Sequence, residues 1–361
     1  YMELSPIIND NGIYKRVKSF SVSYSSNQNR GTQIYNASRS SNQLTNSVLR
    51  TGNWYKFYVE ESGVYKLTKS FLNTLGVNTN NVDPRTIKIY GNGGRMLPLL
   101  NSELYPIDLV ENAVKFVGEE DGRFDNNDYI LFYAEGIKGF NNDSDTHNNL
   151  YADKSYYYVN LSSGLGKRIQ PMMQPTSDAI DVITTFDDVQ FHELDEFNLV
   201  KLGRRWYGDK FDIETERDFE FSFPNLVTTE PVSFTIKAAA VSPQLSNMTV
   251  AANGQPVTTL NFSAIDFTSA VLANSTSFSG VINASSEAIN INVTYNNNGV
   301  PSATGYIDYI TLQATRALAY AGEQLFFQKN SVANIGGVVE YQLSNALNVA
   351  EIWDITDRFN V

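Results

Sequence analysis

The sequence predicts a mostly β chain built as two β-rich domains, the second a jelly-roll or Ig-like β-sandwich. Three observations carry this. Aromatic residues reach 12%, with 21 Tyr and 21 Phe, and these side chains suit half-buried pleated surfaces. Short runs that alternate apolar and polar residues recur between Gly-, Asn- and Ser-rich turns, and no long helical periodicity interrupts them. The 361 residues also exceed the roughly 250–300 over which a single core usually grows.

Taken in order, Phe20–Tyr24 alternates as a strand with one wet face should. Trp54–Val59 and Val64–Leu67 read as a hairpin, with Gly63 free to take a positive φ in the turn. Ser70–Gly76 reads as a short helix, near 69–75, with Ser70 able to cap its start and Gly76 its end. Strands follow at Thr86–Tyr90, Ala113–Val117, Asp128–Ala134 and Tyr156–Leu161. This first domain covers residues 1–165. The Gly, Ser and Pro content from Ser162 to Pro175 marks a linker, residues 166–185. The second domain, 186–361, carries Phe219, Phe221 and Phe223 in one alternating strand, then strands at Pro231–Val241, Met248–Ala252, Ala288–Tyr295, Gly305–Arg316, Val338–Leu343 and Ile352–Thr356. Many short strands with regular turn signals indicate a sandwich or jelly roll.

The formal net charge is −12 and the pI about 4.7. An acidic chain is repelled by phosphate backbones, so nucleic acid is not an expected partner. The basic clusters Lys15–Lys18 and Gly203–Arg205 are too small to reverse this. With no cysteine, disulfides, thiolate chemistry and Cys-ligated zinc or iron–sulfur sites are removed together. No apolar run of 18 residues is present to span a bilayer as a helix. Tyr1-Met2-Glu3-Leu4 lacks the pattern of a signal peptide and reads as the interior of a longer chain.

Catalytic motifs are sparse. The two histidines, His147 and His192, are 45 residues apart and fall in different expected domains, so no His-x-x-x-His zinc pair exists. Both are expected in surface or loop roles. No Gly-x-Ser-x-Gly elbow occurs. Gly91-Asn92-Gly93-Gly94 follows a strand, as a phosphate-binding turn does, but lacks the Lys-Ser/Thr and the following helix, and reads as a tight turn. The densest oxygen cluster is Glu119–Asp128. Its Asp and Asn residues suit β-turns, and the alternative is calcium, with Asp121, Asp125 and Asp128 as ligands. No other cofactor is expected. Trp206-Tyr207 and Tyr306–Tyr309 read as core or cross-strand packing, with a sugar-binding face as the alternative.

Several segments, in order, resemble one family. They are Trp54-Tyr55-Lys56, Ser62–Leu67, Ile89–Gly94 with Met96-Leu97-Pro98, Asp121–Asp125 with Asp128–Ala134, His147–Tyr151, Tyr156–Tyr158, Tyr306–Ile310 and Trp353–Thr356. The pattern is similar to the N-terminal region of the PorU family, the sortases of the type IX secretion system of Bacteroidetes, and runs from about Ser47 to Thr356. The resemblance implies a cell-surface protein attached peripherally to the outer membrane. Members of the family remove the C-terminal signal of exported cargo and join the cargo to anionic lipopolysaccharide. Their chemistry belongs to a gingipain-type cysteine peptidase domain, with a Cys nucleophile and a His base, that follows the β region. A chain without cysteine accepts none of those roles, so it is expected to be a non-catalytic N-terminal region of a longer protein. The implied partners are the outer-membrane barrel PorV, the attachment-complex proteins PorQ and PorZ, and the signal domains of secreted cargo. Two other readings stand beside it: a free-standing adhesin or carbohydrate-binding protein, and an enzyme that works through carboxylates alone.

Overall fold

The computed structural model describes residues 7–10, 13–16, 46–100, 103–199, 201, 203–268 and 270–361. The expected strand Phe20–Tyr24 lies outside them. The chain divides into two compact units, 1–45 and 46–361. In the first, β1 (Ile7–Asp10) pairs antiparallel with β2 (Ile13–Arg16).

The second unit opens with β3 (Trp54–Val59), β4 (Gly63–Thr68), helix α1 (Lys69–Thr74), β5 (Ile87–Tyr90), β6 (Glu111–Asn112), β7 (Val114–Val117), β8 (Tyr129–Ala134) and β9 (Ser155–Leu161). These strands form two sheets, ordered β3-β9-β5-β6 and β4-β8-β7. Alternation along β3 and β9 turns Phe57, Val59, Tyr157 and Val159 inward, where they meet Ile89, Leu72 and Phe132 in one apolar core. Phe132 and Tyr157 pack edge to face with centroids 5.3 Å apart. Each fully buried Phe or Ile contributes about 1.5–3 kcal/mol over its exposed state.

The expected β3–β4 hairpin does not form. β3 pairs with β9 and β4 with β8, in different sheets. The short connection instead carries the chain from one sheet to the other, and Glu60 O accepts from Ile137 N at 3.2 Å, which holds the crossing. Gly63 stands opposite Ala134 inside β4 and has no positive φ. The helix starts at Lys69, within the expected 69–75, but its cap lies two residues before Ser70. Thr68 caps it, its hydroxyl accepting from Phe71 N at 3.2 Å, and Gly76 at φ +95° ends it as anticipated.

Residues 167–169 then run beside Val114 through Val114 N to Lys167 O (3.2 Å) and Ile169 N to Val114 O (3.0 Å). β10 (Asp181–Ile183) leads into β11 (Thr185–Glu193), β12 (Gly208–Phe211), β13 (Glu216–Ser222), β14 (Val232–Val241), β15 (Ser246–Ala252), β16 (Gln255–Phe262), β17 (Asn274–Ile282), β18 (Ala288–Asn296), β19 (Thr304–Ala317) and β20 (Val339–Tyr341). One sheet runs β11-β19-β14-β17 with β12 also on β19, and the other runs β13-β18-β15-β16. Their inward residues, among them Phe219, Phe221, Phe234, Ile236, Met248, Ile291 and Leu312, close a second apolar core. This is the expected antiparallel β-sandwich. β20 pairs in parallel with β10. Ile352–Thr356 is not a strand. That tail returns to the first core, where Ala113 N donates to Phe359 O at 3.2 Å and Arg358 pairs with Glu135.

Candidate functional site

The polar groups concentrate where the loop after β8, residues 140–149, lies on the outward face of β11, β14 and β19. An outward sheet face normally meets water, and burying it requires partners for every charge. Strand alternation supplies them. β11 presents Glu193, β14 presents Lys237, and β19 presents Tyr309 and Thr311, while the register shift between Lys237 and Ala238 leaves Asp308 unpaired with β14 and brings its carboxylate to the same lysine.

His147 is at the centre, 2% exposed. Its ring stacks on Phe191 at 4.1 Å and 10°, and Phe140 and Tyr309 close around it at 4.8 and 5.3 Å. Glu193 Oε2 accepts from His147 N at 2.7 Å and lies 2.8 Å from His147 Nδ1. A carboxylate only accepts, so Nδ1 carries the proton. Glu193 Oε1 accepts from the Thr146 hydroxyl at 2.5 Å. Nε2 meets Thr311 Oγ1 at 3.0 Å. Hydroxyl, imidazole and carboxylate thus stand in the order of a catalytic relay. Three aromatic rings seal the imidazole, and the geometry acts as a clamp on the 140–149 loop.

A charged cluster adjoins it. Lys237 pairs with Asp145 and lies 3.4 Å from Asp308. Arg205 reaches Asp308 at 2.9 Å and Asp145 at 3.6 Å, and the Tyr309 hydroxyl donates to Asp145 at 2.8 Å. Burial pushes the Asp308 carboxyl up to about 6, against the pull of Lys237 and Arg205. Burial also raises Asp145, but hydrogen bonds from Lys237 and Tyr309 outweigh it and hold that carboxyl below its ordinary value. Asp195 is raised by burial, and Asn148 Nδ2, which donates to it at 2.9 Å, partly offsets this.

His147 is therefore in a loop, as the sequence predicts, but buried rather than at the surface. His192 lies on β11, half-buried, with Nε2 2.6 Å from Asp209 Oδ2. Spacing gave no sign of either pairing. The Gly91–Gly94 segment is closely packed and carries no hydrogen-bonded turn. A side chain on Gly91 would run into the Tyr157 ring, one on Gly94 would come within 2.6 Å of Ser155 Cβ, and Gly93 takes φ +78°. Tyr207, Tyr306 and Tyr309 are buried, so they form packing and not an open sugar platform. In the acidic loop, Asp121 Oδ1 accepts from Arg123 N at 2.9 Å and Asp128 Oδ2 from Asp125 N at 2.6 Å. Among the described residues no group of three or more His, Cys, Asp or Glu stands in an arrangement able to hold a metal ion. No helix among them is long and apolar enough to cross a membrane.

No family model matches the chain, and no curated protein matches it. Among solved structures, a dimeric latent PorU from Porphyromonas gingivalis aligns with TM-score 0.66 at 21% identity, over 83% of this chain and 28% of that one. The chain thus spans little more than a quarter of that relative, and the two share a fold. A family 35 carbohydrate-binding module from Clostridium thermocellum aligns at TM-score 0.22 and 10% identity, over 36% of this chain and 90% of that one. A family 36 module in complex with calcium and xylotriose aligns at TM-score 0.20 and 12% identity, over 27% of this chain and 71% of that one.

Proposed function

We propose that this chain is the N-terminal, non-catalytic region of a PorU-type sortase of the type IX secretion system, and that it serves docking and scaffolding at the cell surface. The observation that carries the reading is the PorU-like fold over 83% of the chain, along which the family-like segments fall in order. The absence of cysteine puts the thiolate chemistry of signal removal and cargo attachment outside these residues. The buried junction supports the scaffold role. It ties the loop at 140–149 to three strands of the sandwich, so the two cores share one fixed arrangement.

In this reading the protein is held at the outer membrane through the barrel PorV, in company with PorQ and PorZ. Cargo signal domains and anionic lipopolysaccharide meet the whole protein. The test is affinity capture from the native cell surface with intact-mass measurement. A mass well above 40.3 kDa, a cysteine-containing C-terminal part and a co-purifying outer-membrane barrel are expected. A mass near 40.3 kDa with no barrel would overturn the reading.

A further inference from the structure

Lys237 and Asp308 are brought together by a break in the sheet. β14 and β19 pair Lys237 with Tyr309 and Ala238 with Ile307, so Asp308 is the extra residue of a β-bulge. A bulge re-aims its side chain, and here the carboxylate comes within 3.4 Å of Lys237 Nζ. The Lys237 side chain is 13% and the Asp308 side chain 3% exposed. The Tyr309 ring centroid lies 5.9 Å from Lys237 Nζ, and Phe140 packs edge-on against Tyr309 at 5.8 Å.

Burial disfavours two charges and favours a neutral amine beside a neutral acid. Asp308 shows this already, its carboxyl raised by burial to about 6 with Lys237 and Arg205 beside it. Asp145 behaves in the opposite way. Burial raises it too, but hydrogen bonds from Lys237 and Tyr309 outweigh this and keep it ionised, so a proton acceptor stands against the lysine. Arg205 Nη1 donates to Asp308 Oδ2 at 2.9 Å, where it can hold negative charge on that oxygen. Amine, acid, base and oxyanion donor are thus placed by the fold itself. Groups held in reactive geometry behave as if at concentrations of about 10⁵–10⁸ M.

We propose that Lys237 and Asp308 join through an intramolecular amide bond. Lys237 Nζ passes one proton to the Asp145 carboxylate and attacks Cγ of the protonated Asp308. The C–N bond forms, Arg205 holds Oδ2 while it carries the negative charge, and the Cγ–Oδ1 bond then breaks. A second ammonium proton leaves with Oδ1 and its own proton as water, and the third stays on the amide nitrogen. The step needs no oxidant, nucleotide or other chain. Its product ties β14 to β19 at the bulge, beneath the 140–149 loop. Before the step, the two groups are the ion pair described above. Lys329 meets Asp187 at 2.6 Å but has no second carboxylate within ion-pair distance among the described residues, and is not expected to react. The inference rests on these side chains and does not depend on the sortase reading.

The test is intact-mass measurement of the purified full chain, followed by tryptic mapping. The wild type is expected to weigh one water less than its sequence, with Lys237 and Asp308 in one joined peptide and Lys329 unjoined. Lys237→Arg and Asp308→Ala, shown to be folded by circular dichroism, should have their full sequence masses. Asp308→Asn should keep the bond and lose ammonia in place of water. Asp145→Asn should lower the joined fraction at least tenfold. Full sequence mass in the folded wild type, a water lost instead as a succinimide at Asp121-Gly122, or Lys237 joined to Asp145 would each overturn the proposal.

Discussion

Glu193 is the side chain on which the junction depends most, and two substitutions there separate its charge from its shape. Its side chain is 1% exposed and takes three donors: the Thr146 hydroxyl, the His147 backbone N–H and the His147 ring. Glu193→Ala strands them together. A buried donor left unpaired costs about 1–3 kcal/mol. The Thr146 hydroxyl has a second acceptor in Asn148 O at 3.3 Å, so two donors carry most of the loss, about 4 kcal/mol. Glu193→Gln keeps the shape. Its amide oxygen can face His147 while its NH₂ donates to the Thr146 oxygen, so only the charge-assisted part of two bonds is lost, about 2 kcal/mol.

The assay is urea unfolding with linear extrapolation, paired with hydrogen exchange on peptides that cover residues 140–149. Both variants should unfold at lower urea, the alanine change by roughly twice as much as the glutamine change. Exchange in 140–149 should rise in both, while the sandwich strands β15 and β18, remote from the junction, stay protected. Equal losses for the two substitutions, or a loss below about 1 kcal/mol for alanine, would refute the clamp.

Two further outcomes follow from the charges. Asp308 has its folded value raised to about 6, so the folded chain holds this proton where the unfolded chain releases it. Its contribution is greatest below the ordinary carboxylate value and declines as pH rises through about 6, by about 3 kcal/mol for a shift near two units. The stability difference between wild type and Asp308→Asn, followed from pH 4 to 7, should fall across that window, and a flat difference would rule this out. Asp145, with its value lowered, contributes in the opposite sense and loses its share as pH falls. In the acidic loop the Asp121 and Asp128 carboxylates serve backbone N–H groups of the turn, so calorimetry at millimolar Ca²⁺ is expected to show no heat, and binding that Asp125→Asn abolishes would restore calcium coordination by Asp121, Asp125 and Asp128.

The fold class was legible because it rests on local periodicity. Phe219, Phe221 and Phe223 alternate plainly, and Trp54–Val59, Pro231–Val241 and Gly305–Arg316 lie within two residues of observed strands. Gln255–Phe262 and Asn274–Ile282 were missed, since Thr, Ser and Asn fill most of their outward positions and mimic turn composition. Ile352–Thr356 has strand-like residues but no neighbouring strand. The hairpin failed for the same reason in reverse. A short turn between two strands permits pairing, but partner choice was decided by β8 and β9, more than 60 residues on. Nothing local links His147 to Glu193, 46 residues away, or Lys237 to Asp308. Such sites arise from strand order, which period-2 patterns do not encode.

The junction also bears on why a β scaffold would bury charge at all. Apolar faces of two sheet packings can slide and re-pack at modest cost, because dispersion and hydrophobic burial have little direction. Replacing Lys237 and Asp308, the two members whose side chains are buried, with apolar residues need not destabilise the chain, since desolvation consumes much of what a buried ion pair returns. The raised Asp308 carboxyl records that cost, remaining high with two cations beside it. What the network supplies is a geometry with few alternatives. Arg205 and Lys237 each meet both Asp145 and Asp308, and a shift of the loop by one residue would break both contacts to Asp145 together. A region whose proposed task is to hold one part of a larger protein at a fixed angle to its partners gains from this more than from extra stability.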